Sequence, residues 1–206
     1  MLDKYLVKMF FTLISLAIFG YLIKWFLKWK AENRLTNLQI KWDAVGKDIV
    51  ILHQIQRARY CPNGSPYPIK LETFLRMHKI KYEVDYEEPM SPKGKTPWIT
   101  INGKNIADTQ LCIEYLSKKF DVDPFPGLTE KEIAITRGLR FMIEQDLYWV
   151  FAYDRWVHRK GQDVGKYIGP FFPDFPEIIE SLFCYFVISR NIGNQAHAQG
   201  MGRHSW

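Results

Sequence analysis

The chain is poor in cysteine: Cys61, Cys112 and Cys184 are the only three in 206 residues, far apart and odd in number. That count excludes a disulfide framework and suits a reducing compartment. No second cysteine stands at Cys-x-x-Cys spacing from Cys61, which excludes dithiol redox chemistry. The five histidines, His53, His78, His158, His197 and His204, keep no ligand spacing with one another or with the cysteines. No metal site is therefore expected. A ladder of basic and aromatic residues is also missing, so no nucleic-acid partner is expected. The formal charge is +6, but its excess gathers at Lys24, Lys28, Lys30 and Arg34, directly after an apolar run. Such a cluster favours anionic lipid headgroups over nucleic acid.

That apolar run, MFFTLISLAIFGYLIKWFL at 9–27, is broken only by Thr12, Ser15, Gly20 and Lys24. About 20 helical residues cross a hydrocarbon core, and a lysine near one end can snorkel outward. Trp25 and Trp29 fall where an interfacial aromatic belt would lie. No small-x-small cleavage site follows, so the reading is a retained anchor and not a cleaved signal peptide. The anchor and its flanks are expected at 1–30, with membrane lipid as partner, and a basic amphipathic connector at 31–47. Lys and Arg are denser after the span than before it, where only Lys4 and Lys8 occur, which predicts a cytosolic body.

The body is 47% hydrophobic and 24% charged over the whole chain, the balance of a folded globule. Residues 48–53 read as a buried strand. Ser65 would cap a helix over 65–78 with Pro66 and Pro68 in its first turn. Residues 82–86 alternate as a second strand. Then follows Ser91-Pro-Lys-Gly-Lys-Thr-Pro-Trp-Ile-Thr-Ile101, a loop leading into a proline-headed strand. Asn102-Gly103 supplies the two left-handed positions of a tight hairpin, and a short strand ends at Asp108-Thr109. The Thr109 hydroxyl is expected to accept from first-turn amides of a helix over 109–120, with Asp108 favouring its positive end. Thr96-Pro97 is a position that takes a cis peptide bond. Residues 121–128, rich in proline and acid, read as a linker. Beyond it, Thr129 and Glu132 form a capping box, a helix runs to about Val157, and a second covers 176–191.

The β-α-β-β-β-α order followed by helices resembles the glutathione transferases: a thioredoxin-like domain at 48–120 and a helical domain at 129–206, behind the apolar helix. The closer resemblance is to the Fax (failed axon connections) family, which groups with the metaxins and includes nematode cadmium-responsive lysosomal proteins. It is carried by Ser65-Pro-Tyr-Pro-Ile-Lys-Leu-Glu-Thr-Phe-Leu-Arg76, by Ile80-Lys-Tyr-Glu83, by Lys93-Gly-Lys-Thr-Pro-Trp-Ile99, by Ile106-Ala-Asp108 and by Gly200-Met-Gly-Arg-His-Ser205. Two departures stand out. Pro68 occupies a position where the family often has cysteine, so the dipole-acidified thiol of a helix start is missing. Family members also continue with more helix after the Gly-Arg-His stretch, and the helical domain is expected to be short.

The resemblance implies glutathione as ligand and no other cofactor. It implies a site in which Asp108 and Thr109 hold the γ-glutamyl end while Thr96 and Pro97 offer backbone hydrogen bonds. Helix capping alone accounts for the first pair, and a fold-defining turn for the second. A thiolate would need a hydroxyl or thiol near the end of the first strand. Ser65, Tyr67 and Cys61 are the candidates, Ser65 also being an ordinary cap residue. The resulting expectation is a stress- or cadmium-response membrane protein, lysosomal or on the mitochondrial outer membrane, acting mainly by binding. A glutathione-conjugating enzyme and a metaxin-like scaffold with a protein partner or a dimer are the alternatives.

Overall fold

The computed structural model describes residues 2–58, 60–162 and 176–204. Ser205 of the Gly-Arg-His motif lies outside them. Helix α1 (Leu2–Asp43) is continuous: with only Gly20 and no proline inside it, nothing in the sequence interrupts its hydrogen bonding. The expected connector is thus a direct continuation of the apolar helix as far as Asp43. Lys28 pairs with Glu32 at 3.8 Å, and Gln39 donates to Asp43 at 2.9 Å, both one turn apart. Over Thr12–Asp43 this helix is long and apolar enough to cross a membrane. It ends at Asp43, and the chain turns away at Gly46, whose φ of 113° suits glycine.

Four strands follow: β1 (Val50–His53), β2 (Tyr82–Asp85), β3 (Trp98–Ile101) and β4 (Lys104–Ala107). They form one sheet in the order β2-β1-β3-β4, with β1 and β2 parallel in the register Val50 to Tyr82 through His53 to Asp85. Central strands β1 and β3 are buried along their whole length, the polar His53 and Thr100 included. Helix α2 (Pro66–Met77) turns Leu71, Phe74 and Leu75 inward and ends in a Schellman turn. There Lys79 is left-handed, its amide bonds to Arg76, and Ile80 N bonds to Leu75 O. Helix α3 (Thr109–Phe120) packs against α2 and buries Cys112, Ile113 and Leu116. Burial pushes the Cys112 thiol up to about 12, so it is an inert packing group.

The chain divides into two compact units, Met1–Ile49 with Thr100–Lys104, and Val50–Ile99 with Asn105–Trp206. In the first, Asp48 and Asn102, both at positive φ, exchange two 2.9 Å hydrogen bonds that pin the Asn102-Gly103 turn. In the second, the Thr129–Glu132 capping box is present, and α4 (Glu130–Met142) follows it. A π-helical segment, Ile143–Leu147, leads into α5 (Tyr148–Tyr153) and a second one, Asp154–His158. The next described elements are α6 (Glu177–Phe183), a π segment (Cys184–Ile188) and α7 (Ser189–Gln199), which ends eight residues beyond the expected end at Asn191. Helices α5 and α7 pack together. The Gly-Met-Gly-Arg motif closes α7: Gly200 has φ 117°, a Cβ on Gly202 would lie 2.8 Å from His197 N, and Arg203 Nε donates to His197 O at 2.9 Å.

A polar network lies inside the second unit. His53 has no exposed surface, stacks on Trp98 with centroids 3.6 Å apart, and meets Asp85 through Nδ1 at 2.8 Å. Burial holds the His53 pKa below its usual value despite the neighbouring carboxylates. Burial would raise Asp85, but the bond from His53 and the Glu87 and Glu88 amides outweigh it and keep Asp85 below the ordinary carboxylate range. The imidazole is therefore neutral and donates its Nδ1 proton to a carboxylate. Nearby, Glu72 accepts from Arg76 (2.6 Å), Tyr82 (3.0 Å) and Gln54 (3.3 Å); these bonds overcome burial and lower its pKa too.

All three shifts have one sign. A histidine with a depressed folded pKa loses its stabilising effect as pH falls below its unfolded value of about 6.5. Carboxylates with depressed folded pKa values lose theirs as pH falls further, through the folded values. Thermal melts of the full chain in detergent should therefore show Tm falling between pH 7 and pH 5 and faster below pH 4. His53→Asn, which keeps a donor toward Asp85 without titrating, should flatten the upper part. An unchanged Tm from pH 7 to pH 5 would count against a neutral buried His53.

Candidate ligand site

A cavity of about 510 Å³ opens where the start of α2, the loop before β3 and the start of α3 face the helical segments. Ser65 and Tyr67 contribute from the first, Lys95 and Thr96 from the second, and Asp108, Thr109 and Gln110 from the third. The helical side adds Glu144, Gln145, Tyr148, Trp149, Asn191 and Gln195. Five of the seven residues expected from sequence thus share one cavity. Pro97 has the expected cis bond and is buried, but it does not line the cavity. Cys61 is half-buried outside it, with Sγ 3.1 Å from Asn63 O.

The cap of α3 differs from the expectation. Asp108, not Thr109, is the N-cap: its Oδ1 accepts from Gln110 N at 2.9 Å and Leu111 N at 3.4 Å. The reason is backbone geometry. Asp108 stands at φ 83°, outside the helix, whereas Thr109 is already its first residue and is buried. Two of the free amides are consequently satisfied by the chain itself, and the second carboxylate oxygen of Asp108 remains available to a cation. Ser65 is the N-cap residue of α2 by position, yet its hydroxyl makes no capping bond. Asn63 instead receives the Ser65 amide at 3.0 Å. The Thr96 hydroxyl is buried without a hydrogen-bond partner.

Tyr67 packs edge-on against Tyr148 at 5.0 Å. Burial pushes its phenol well above the usual value, helped by Tyr148, Glu144 and Asp108, so it remains an O–H donor at neutral pH. Lys70 Nζ binds Glu144 at 2.7 Å and Gln110 Oε1 at 3.2 Å, tying α2 and α3 to the first π segment. Glu144 is thereby neutralised, and Lys95 and Asp108 are left as the charges lining the cavity. One cation, one anion, two hydroxyl donors and several amides suit a small zwitterionic peptide with a polar tail. The contributions of Glu144, Tyr148 and Gln195 were missed in the sequence because they lie in helices whose register π turns shift.

Capping and ligand roles separate by mutation. Asp108→Ala should cost about 1 kcal/mol of stability, and Asp108→Gly less, because glycine accepts the positive φ. Ser65→Ala should stay within roughly 0.5 kcal/mol, as it removes no capping bond. Chemical denaturation reads both, and a Ser65→Ala loss as large as that of Asp108→Ala would restore a capping role to Ser65.

The chain is similar in sequence to known proteins. Residues 66–161 match the family model for the glutathione S-transferase N-terminal domain. "Failed axon connections" of Drosophila melanogaster is 39% identical over 111 residues, covering 53% of this chain and 27% of that protein. Isoprene-epoxide–glutathione S-transferase of Rhodococcus sp. (strain AD45) is 30% identical over 152 residues, 70% of this chain and 63% of that enzyme. The chain therefore spans about a quarter of the first relative and under two thirds of the second. Sheet order, the helices flanking it and these similarities agree on a glutathione-transferase-like fold, with sequence similarity to Failed axon connections over about half of the chain.

Proposed function

We propose that this protein is a membrane-anchored binder of glutathione or a closely related γ-glutamyl thiol, with slow or no conjugating turnover. The observation that carries the reading is the gathering of Ser65, Tyr67, Thr96, Asp108 and Thr109 on one cavity with Asp108 at the head of α3. Asp108 receives the ligand ammonium, Lys95 a carboxylate, and the unpartnered Thr96 hydroxyl a backbone group. Ser65 and the protonated Tyr67 can each donate to a sulfur. Binding is favoured over chemistry because no thiol stands at the start of α2, where Pro68 is found, and because Tyr67 is held protonated and not acidified. Helix α1 supplies the anchor, and the cluster of Lys and Arg after its apolar stretch favours a cytosolic body. A part in cadmium or xenobiotic stress would then run through the bound thiol.

A second reading has one specific support: the Rhodococcus relative is an isoprene-epoxide–glutathione S-transferase, and Ser65 has a hydroxyl uncommitted to capping. In that case Ser65 steadies a thiolate that opens an epoxide.

Calorimetry of the full chain in detergent micelles with glutathione tests the first reading. Saturable binding is expected, weakened about tenfold by Asp108→Asn, which keeps the cap but removes the charge facing the ammonium. Heat that does not saturate, or equal affinity in the variant, would refute it. Turnover of an epoxide with glutathione, abolished by Ser65→Ala in a folded protein, would replace it by the enzyme reading. Protease added to sealed organelles should digest the body without detergent; protection would reverse the orientation.

A further inference from the structure

A second concavity of the same unit, about 830 Å³, lies among α2, α3 and α4 and shares only Gln110 with the ligand cavity. Its walls are three helical stripes together with Pro124 and Phe125 of the 121–128 segment. From α2 the stripe runs from Lys70 to His78, from α3 it runs from Gln110 to Lys118, and from α4 it runs from Ile133 to Arg140. Within each, residues recur at three- and four-residue spacing, the pattern of a face that packs on another helix. Eight residues of helix rise about 12 Å, so the trough is two turns long. Phe74 and Ile113 form an apolar floor, each 7% exposed, while Met77 stands 73% exposed at the lip. The Ser117 hydroxyl is buried there without a hydrogen-bond partner.

The rim is basic. Glu114 is the one acid lining the trough, against Lys70, Lys118, Arg137 and Arg140. Lys70 and Arg140 already face Glu144, at 2.7 and 3.8 Å. Lys118 and Arg137 are exposed and form no ion pair among the described residues. A planar lipid surface cannot enter a trough between three helices, whereas a helix laid lengthwise fills it.

We propose that this groove docks an amphipathic helix of a partner protein, apolar residues at three- and four-residue spacing facing Phe74, Met77 and Ile113, and acidic flanks facing Lys118 and Arg137. Apolar anchors supply the contact area, and the opposite charges fix register and exclude basic helices.

The test uses the full chain in neutral detergent micelles and two fluorescein-labelled peptides of about 15 residues, long enough to hold two helical turns in the groove. Both carry leucine at three- and four-residue spacing, one with glutamate and the other with lysine at the remaining positions. Anisotropy should show saturable binding of the Leu/Glu peptide, at least roughly tenfold tighter than the Leu/Lys peptide and weaker at high salt. Lys118→Glu with Arg137→Glu should reverse that preference, and Met77→Glu should weaken the Leu/Glu peptide; circular-dichroism melts confirm that these surface variants fold. The proposal fails if the peptides bind alike, if neither saturates, or if the double variant changes nothing. It also fails if the groove variants alter only self-association of the protein, which would make the occupant a second copy. Phosphatidylglycerol vesicles captured through Lys118 and Arg137 while no peptide binds would likewise replace the helix by lipid.

Discussion

His53 sits on a central strand with no exposed surface, so its imidazole has to satisfy its polar atoms and its packing inside the protein. It does both in one place. Its Nδ1 proton goes to Asp85 on the neighbouring strand, and its face lies on Trp98 of the strand on the other side. Asp85 in turn receives the Glu87 and Glu88 amides, and Trp98 Nε1 donates to Glu88 O at 3.0 Å. Three strands and the beginning of the 86–97 loop are thus held by one buried residue. The far end of that loop carries Lys95 and Thr96 into the ligand cavity. A neutral imidazole is the condition for all of it, since a charged one would have to be buried at the same position.

The other side of the cavity depends on a different device. Lys70 reaches from α2 to Gln110 on α3 and to Glu144 in the π segment after α4. A π turn admits one extra residue per turn and rotates the helix beyond it. Gln145 lines the ligand cavity, Leu139 and Arg140 line a neighbouring concavity beside Pro66 and Lys70, and Glu144 and Tyr148 border both. The loop at 61–65 is held by the same helical run: Arg155, stacked on Phe151, donates to Gly64 O at 3.1 Å. The site is therefore assembled from a sheet-borne half and a helix-borne half, each with its own polar fastening.

The similarity to Failed axon connections and to a glutathione S-transferase places this assembly in context without deciding its chemistry. A helix-start thiol would have made a redox or nucleophilic role direct; the proline at position 68 leaves hydroxyls, a carboxylate and a lysine. The basic trough on the opposite side of Gln110 gives the same small body a second surface, and the apolar helix α1 gives it a third.

Local signals were legible wherever a residue's own backbone decides the outcome. Asn102-Gly103 made its turn, Thr129 and Glu132 made their capping box, Pro66 opened α2, and the continuous apolar runs became the buried strands. The apolar stretch after the amino terminus is likewise a matter of composition alone. Cap identity at α3 was misjudged by one residue, because whether Asp108 or Thr109 leaves the helix depends on how β4 enters it. The buried His53–Asp85 pair and the Glu144–Lys70 link could not be read, since their partners are 32 and 74 residues apart in the chain. Nor could the π turns, whose register is set by packing and not by propensity. Sequence by itself determined the elements and their order, because propensity, capping and turn chemistry act over a few residues. Only the tertiary structure decided which polar groups are buried together, which of the candidate residues share a cavity, and which helix faces remain open, because those depend on contacts between segments that the chain order does not make neighbours.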